Sequence, residues 1–426
     1  MLNSNTQERE LAYVVLIDSI EPITGSDNCE CAVIGGWHIM VRKGQFDVGD
    51  PAVYFEIDSK VPSTNPAFSF LEKHNYKVKT QKFTFGGKGN FISQGLLMHA
   101  SDFGWEIKEQ IHVDHRDGSE ERIPYIVDDK GIEHYVDDES RFLTKILGVT
   151  YADEEDNQRK AKNIDPNAKY LSMKARYKKF FSNKFVKKMW KYPWFRKFCF
   201  FFMGKKKDKP RGFPTKFPYV KRSDEERVEN IPFILKDKQP WIKTQKIDGT
   251  SSTYILERVG KNKFEEYVCS RNVRQLTPSQ KNYHTDIEGN VYWMMADKYK
   301  IFDFLKSYLI ENNLDYVCLQ GETAGPSLQG NPHKFKEICF FGYNFIRSDT
   351  GRMNSIEAAK ICKDAGIPWV PIADEAYILP DDMETLKLNA DGPCLVGEGP
   401  REGWVYRSLD GKQSFKNVSR EYLLKH

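Results

Sequence analysis

The stretch Gln245-Lys246-Ile247-Asp248-Gly249-Thr250 places a lysine two residues ahead of an Asp-Gly turn. Trp241-Ile242 leads in as a short strand and Ser252-Thr253-Tyr254-Ile255-Leu256 leaves as another, so Lys246 is expected at a strand end facing a cleft. An amine there can act as a nucleophile once it is neutral. An ordinary lysine titrates near pH ~10.4, so a neutral amine at pH 7 costs roughly 4 to 5 kcal/mol unless burial, cations or a metal lower its pKa. Lys246 therefore needs partners elsewhere in the chain. Alone, Lys-x-Asp-Gly arises by chance in on the order of one chain of this size in ten, commonly as a solvated hairpin turn.

Four downstream stretches carry candidate partners. Val268-Cys269-Ser270-Arg271-Asn272 puts an arginine at the end of a strand, where it can hold a ribose or a phosphate. Cys318-Leu319-Gln320-Gly321-Glu322 ends a further strand on a carboxylate. In Ile338-Cys339-Phe340-Phe341-Gly342-Tyr343-Asn344-Phe345-Ile346, strand alternation predicts Phe341, Tyr343 and Phe345 on one face. Glu402-Gly403-Trp404-Val405-Tyr406-Arg407 and Ser414-Phe415-Lys416-Asn417 supply an acid and a lysine. Singly, each has a plain structural explanation: a surface ion pair, a turn cap, a core face, an exposed lysine.

Around this region, 426 residues allow two or three domains, each with its own core. A hydrophobic fraction of 40% fits a globular protein, and a net charge of +4 means that any nucleic-acid surface must come from local clustering. No apolar run reaches the length of a membrane span, and Met1 to Glu10 is too polar for a signal peptide. Only Cys29 and Cys31 of the eight cysteines are close together, so reduced, mostly buried thiols of a cytoplasmic protein are expected rather than a zinc site. His112 and His115 sit among solvated charges and make a thin metal case.

Residues 1–105 read as an OB-like β-barrel domain, with short strands at Leu11–Ile17, Cys31–Ile34, Trp37–Val41, Ala52–Ile57 and Phe91–Met98 separated by glycine turns. Residues 106–222 read as an acidic extension followed by a basic, aromatic insert from Lys174 to Arg222. That insert suits phosphate neutralisation and base stacking, a solvated linker, or peripheral membrane contact. Ser223-Asp224-Glu225-Glu226 has the pattern of a helix start with acids in its first turn, after which residues 223–426 form the lysine-centred domain.

In order and spacing, the lysine, arginine, glutamate, aromatic, Glu-Gly and lysine motifs resemble the covalent nucleotidyltransferase superfamily of polynucleotide ligases and capping enzymes. Within it, the chain is most similar to ATP-dependent RNA ligases that carry an OB-like module ahead of the catalytic domain. Gly49-Asp50-Pro51-Ala52-Val53-Tyr54-Phe55 and Ser93-Gln94-Gly95-Leu96-Leu97 look like that family's leader domain. DNA ligases and capping enzymes place an OB domain after the last lysine motif, whereas Lys416 lies ten residues before His426. The resemblance implies an α+β fold, the barrel being followed by a nucleotidyltransferase domain of ATP-grasp-like antiparallel sheets with helices.

The resemblance further implies attack of Lys246 on the α-phosphate of ATP, transfer of AMP to an RNA 5′-phosphate, and sealing by a 3′-hydroxyl with release of AMP. It casts Glu402 as the carboxylate for Mg2+ or Mn2+, Glu322 on ribose or metal, and Arg271 on ribose or phosphate. Asp248 orients the lysine loop or reaches a metal-bound water, and Tyr343 stacks on adenine, with Phe341 as the fallback. Lys416 stabilises the α-phosphate and is expected to depress the Lys246 pKa by like-charge repulsion. Some nick-sealing relatives carry Lys-x-Lys in the last motif; here Ser414 takes the first place, leaving Lys416 alone or helped by Lys243 or Lys412. RNA, as a nicked duplex or broken strand, is the expected partner, with repair as the expected setting and the oligomeric state open. The alternatives are a ligase for DNA or hybrid nicks, a guanylyltransferase, and a non-catalytic RNA-binding protein on a ligase scaffold.

Overall fold

Short runs of β-branched and aromatic residues between glycine turns build the N-terminal region. In the computed structural model, which describes residues 1–3, 8–87, 89–113, 120–152, 184–195, 198, 211–280 and 287–425, these runs form an OB-like barrel. Ala12–Leu16 pairs with Pro51–Phe55, which pairs in turn with Leu96–Met98, while Ser19–Pro22, Cys29–Ile34 and Trp37–Arg42 form a meander. The expected strand Phe91–Met98 is broken in two at Gly95, whose φ of +102° and close approach to the Tyr54 ring exclude a side chain. The partner of its first half, Thr80–Thr84, is too polar to stand out in the sequence. The acidic segment after the barrel forms an antiparallel hairpin, Glu106–Val113 with Glu120–Val127. Ile126, Leu143 and Val149 join the barrel residues Val14, Val53 and Phe55 in one apolar cluster.

The lysine-centred region consists of two antiparallel sheets with helices. One has seven strands in the order Arg211–Gly212, Val273–Arg274, Lys263–Cys269, Thr250–Gly260, Tyr316–Ala324, Cys339–Arg347, Gly351–Arg352. The other has five, Glu226–Arg227, Ser414–Val418, Gly403–Ser408, Trp241–Lys246, Ile372–Tyr377, antiparallel except where the first two pair in parallel. The architecture is therefore α+β. The strands flanking Lys246-Ile247-Asp248-Gly249 do not form a hairpin, because one belongs to each sheet. Residues 211–222 join these sheets, with Phe213, Phe217 and Val220 packed in the same cluster as Ile255 and Tyr267.

Two expectations fail here for physical reasons. Phe341, Tyr343 and Phe345 do not share a face. The pairing register slips between Gln320↔Asn344 and Gly321↔Gly342, so Tyr343 occupies a bulge that shifts the alternation by one residue. Phe345 consequently packs against Tyr308 (ring centroids 4.9 Å apart) in the helix Ile301–Glu311, whereas Phe341 and Tyr343 lie in the cluster around Ile247. Nor does Ser223-Asp224-Glu225-Glu226 open an α-helix; an extended segment there leads to two 3-10 turns, and its acids are used as charge partners.

A second unit comprises residues 152–210 and 276–284. Most of the basic aromatic insert lies outside the described residues, as does His115; the described part includes the helix Lys184–Met189 and exposed Tyr192 and Trp194. Among the described residues, all seven cysteines are free thiols, and no helix is long and apolar enough to cross a membrane.

The barrel is fixed to the sheets by buried polar contacts. Glu56, 1% exposed, accepts hydrogen bonds from Arg9 Nη1 (3.0 Å), Tyr13 (3.1 Å) and Asn230 Nδ2 (2.8 Å) and pairs with the Met1 amine. Asn230 also accepts from Trp37 Nε1 at 2.7 Å. Burial favours the neutral acid, yet the Met1 amine, Arg9 and Arg227 hold the Glu56 carboxyl far below its ordinary value. A carboxylate depressed in this way stabilises the fold above its unfolded pKa, near ~4.3, and loses that contribution as pH falls. Replacing one partner of a buried charge cluster leaves the others uncompensated, so Glu56→Gln is expected to cost about 3 kcal/mol in urea unfolding at neutral pH. An unchanged midpoint would show that the cluster contributes nothing net.

Candidate active site

The pairing of strands brings three distant residues together. Lys246, the last residue of its strand, pairs with Gly403, and Val405 on that central strand pairs with Lys416. Glu402 immediately precedes Gly403, and its Oε1 lies 2.7 Å from Lys246 Nζ. From the second sheet comes Glu322, registered between Ser251 and Phe341. The crossing between sheets needs Gly249, because a Cβ there would sit 2.3 Å from the carbonyl oxygen of Thr323. Ile247 anchors the same loop in an apolar cluster with Ala324, Phe335, Phe341 and Val370.

Negative charge is in excess around Lys246. Burial, with repulsion from Glu402 and Asp248, pushes the Glu322 carboxyl up to about 8 against the pull of Lys246. Burial and Glu402 likewise raise Asp248 to about 6, although Tyr422 donates a hydrogen bond to its Oδ2 at 2.5 Å. Burial alone would lower the Lys246 amine, but Glu402 and Glu322 hold it above its ordinary value. This corrects the expected net depression: the attraction of Glu402 and Glu322 outweighs any repulsion from Lys416 and favours the protonated amine. The mutual repulsion shows instead at Lys416. Burial, then Arg9, Arg227 and Lys246, lower the Lys416 amine to about 8, with Asp224 opposing.

The cations are gathered by Asp224. Its carboxylate accepts from Lys416 Nζ (2.8 Å), Arg271 Nη2 (3.1 Å) and Arg9 Nε (3.3 Å). Burial is opposed by these charges, Lys416 foremost, which hold Asp224 well below the usual carboxylate range. Neither proposed helper of Lys416 joins it. Lys243 lies over the rings of Tyr377 and Trp404 at 4.3 and 4.6 Å, and exposed Lys412 pairs with Asp410. Ser414 instead accepts from Arg352 Nη1 at 3.2 Å and donates to Glu225, which also pairs with buried Arg407.

Of the two candidate rings, Tyr343 is half-buried and Phe341 is only 8% exposed, packed against Phe335. The Tyr343 hydroxyl lies 2.5 Å from Ser223 Oγ and 3.4 Å from Ser251 Oγ, and the Arg407 guanidinium is 5.8 Å from its ring centroid. Asp224, Arg9, Ser223, His333 and Tyr422 are members of this neighbourhood that motif spacing did not reveal. Only the helix-start pattern had drawn attention to residues 223 and 224.

The donor set fits a hard divalent cation. Glu402 Oε2 is buried without a hydrogen-bond partner, and three carboxylates face one amine. Among the described residues, no three His, Cys, Asp or Glu side chains form a ready-made cage. Glu402 and Glu322 are suited to hold an ion whose remaining positions would be filled by water and substrate phosphates.

Residues 11–99 match a family model described as an OB-fold domain, and residues 239–424 match one described as RNA ligase. None of the curated proteins matches. Among solved structures, the chain is similar to Naegleria gruberi RNA ligase with PPi at 26% identity and a TM-score of 0.66. That match covers 98% of this chain and 99% of that one. It is equally similar to a mutant of that enzyme with AMP and Mn, at 26% identity, TM-score 0.65 and the same coverage. A further mutant, with ATP and Mn, matches at 26% identity and a TM-score of 0.65. The chain therefore carries an OB-fold domain followed by an RNA ligase domain, and over nearly its whole length it is similar in fold and domain order to an RNA ligase solved with AMP and Mn and with PPi, which supports an ATP-dependent RNA ligase with an N-terminal OB-like domain.

Proposed function

We propose that this ligase joins RNA 3′-hydroxyl and 5′-phosphate ends through an AMP carried on Lys246 and then on the RNA. The observation that carries this reading is the 2.7 Å pair between Lys246 Nζ and Glu402, whose second oxygen is buried and unpartnered. A lone structural ion pair has no use for a spare buried carboxylate oxygen, whereas a site awaiting a cation does.

Before attack the amine must shed its proton, and Glu402 Oε1 is within reach to accept it. The nitrogen lone pair then forms a bond to the α-phosphorus while the bond to the pyrophosphate oxygen breaks. Lys416 and Arg271, now held by Asp224, would turn to the substrate's phosphates; Lys416 takes the α-phosphate and offsets its developing charge. Tyr343 carries the adenine, because Phe341 is committed to the core. Asp248 holds the lysine loop through Tyr422. Glu402 and Glu322 would hold Mg2+ or Mn2+, which when bound neutralises the two charges that keep Lys246 protonated and polarises the α-phosphate. ATP and Mn in the similar Naegleria gruberi structures support that choice of substrate and metal class.

We further propose RNA repair in the cytoplasm, on a nicked duplex or broken strand. We also propose domain boundaries after residues 105 and 222, and the packing of Phe213, Phe217 and Val220 with Ile255 and Tyr267 supports moving the second towards residue 211. Joining of 3′-hydroxyl and 5′-phosphate ends in an all-RNA nick, compared with the same nick bearing a DNA 3′ end, tests the substrate; failure on every RNA end would defeat the repair reading.

Two outcomes follow from the electrostatics. Glu402→Gln removes the charge that most raises Lys246, so NMR titration of labelled lysine in the ligand-free protein should show the Lys246 amine titrating lower; no shift would contradict the pairing. Lys416, at about 8, is charged below that pH and neutral above it. Adenylylation should therefore lose rate above about pH 8, and Lys416→Arg, whose cation persists past pH ~12, should move that falling limb upward. An unmoved limb would assign it elsewhere.

A further inference from the structure

We infer that His333 is a positioning residue for Lys246, clasping the nucleophile's loop to the loop that delivers Glu402. The inference rests on the reading of Lys246 as the nucleophile. His333 is 0% exposed, and both of its ring nitrogens are engaged. Nε2 accepts from the backbone N–H of Asp248 at 2.8 Å, which leaves the proton on Nδ1 to be donated to the carbonyl of Pro400 at 3.0 Å. One imidazole thus bridges the residue two beyond the nucleophile and the residue two before Glu402. Tyr422, which donates to the Asp248 carboxylate, lies against the same ring, with centroids 6.3 Å apart and planes 24° apart.

The local backbone is built around this placement. Ser327, Gln329, Asn331 and Lys334 all have φ between 44° and 69°. Four non-glycine residues in the left-handed region within one loop cost free energy that surrounding contacts must offset. Some are internal, such as the Asn331 side chain bonded to the Phe335 backbone, and others come from the Glu402 side: Glu398 N–H donates to the His333 carbonyl at 3.0 Å. Side chains are excluded at two nearby positions. A Cβ at Gly397 would lie 2.3 Å from the carbonyl oxygen of His333, and one at Gly399 would lie 2.0 Å from that of Pro332. A loop that merely connected two strands would not need such a seat. Fixing one imidazole against two loops sets the separation of Lys246 and Glu402, and a displacement of about 1 Å in a reacting group can cost on the order of 100-fold in rate.

The test exploits the two ends of the ring. A glutamine amide reaches the Nε2 position and can still accept from Asp248; an asparagine amide reaches the Nδ1 position and can still donate to Pro400. Single-turnover adenylylation at saturating ATP, the KM for ATP and sealing of pre-adenylylated RNA are measured for full-length wild type, Lys246→Ala, His333→Ala, His333→Gln and His333→Asn, with thermal unfolding of each. Alanine and asparagine should slow transfer to Lys246 by about 100-fold with little change in KM, and glutamine should recover most of the rate. Sealing of pre-adenylylated RNA, which does not use the Lys246 nucleophile, should persist in the three His333 variants. If alanine fails to fold, the contrast between glutamine and asparagine decides. Equal rates for those two, a reversed order, or parallel loss of both steps would overturn the inference. Adenylylation that survives Lys246→Ala would instead overturn the underlying assignment of the nucleophile.

Discussion

A single lysine set among three carboxylates is the constraint on which the rest of this structure depends. Lys246 ends a strand of one sheet, and the chain crosses to the other sheet through Asp248-Gly249, where only glycine fits beneath Thr323. The crossing brings Glu402 from one sheet and Glu322 from the other onto the same amine. The attraction of Glu402 and Glu322 favours a protonated lysine, burial and mutual repulsion favour partly neutralised acids, and a cation held by the carboxylates would reverse that balance.

On the opposite side, Asp224 does for the cations what Lys246 does for the acids. It holds Lys416, Arg271 and Arg9 by one carboxylate, so groups suited to phosphate are kept close without being left unpaired. Arg9 comes from the barrel, and Glu56 ties the same arginine to Asn230 and Tyr13. Barrel and catalytic sheets are therefore joined by charges continuous with those of the site.

The sequence made some of this legible and hid the rest for identifiable reasons. Spacing and strand ends drew attention to Lys246, Glu322, Glu402 and Lys416, which strand pairing then brings near one another. Face assignment failed at Phe345, because a bulge at Tyr343 breaks an alternation that the sequence alone displays as regular. Asp224 and Glu225 have the composition of a helix start, yet their distant cationic partners decide their conformation. Arg9 lies 215 residues from Asp224 and His333 lies 85 from Asp248, so no local pattern could connect them. The Lys246 pKa was misread in direction for the same reason, since its sign depends on carboxylates brought in by the fold.

The central claim is that Lys246 carries the AMP, and mass spectrometry of the protein and its peptides after incubation with ATP and Mn2+ tests it most directly. The account predicts one acid-labile adenylyl group per chain, mapped to Lys246. An adduct on another residue, or none on protein shown beforehand to carry no AMP, would contradict it.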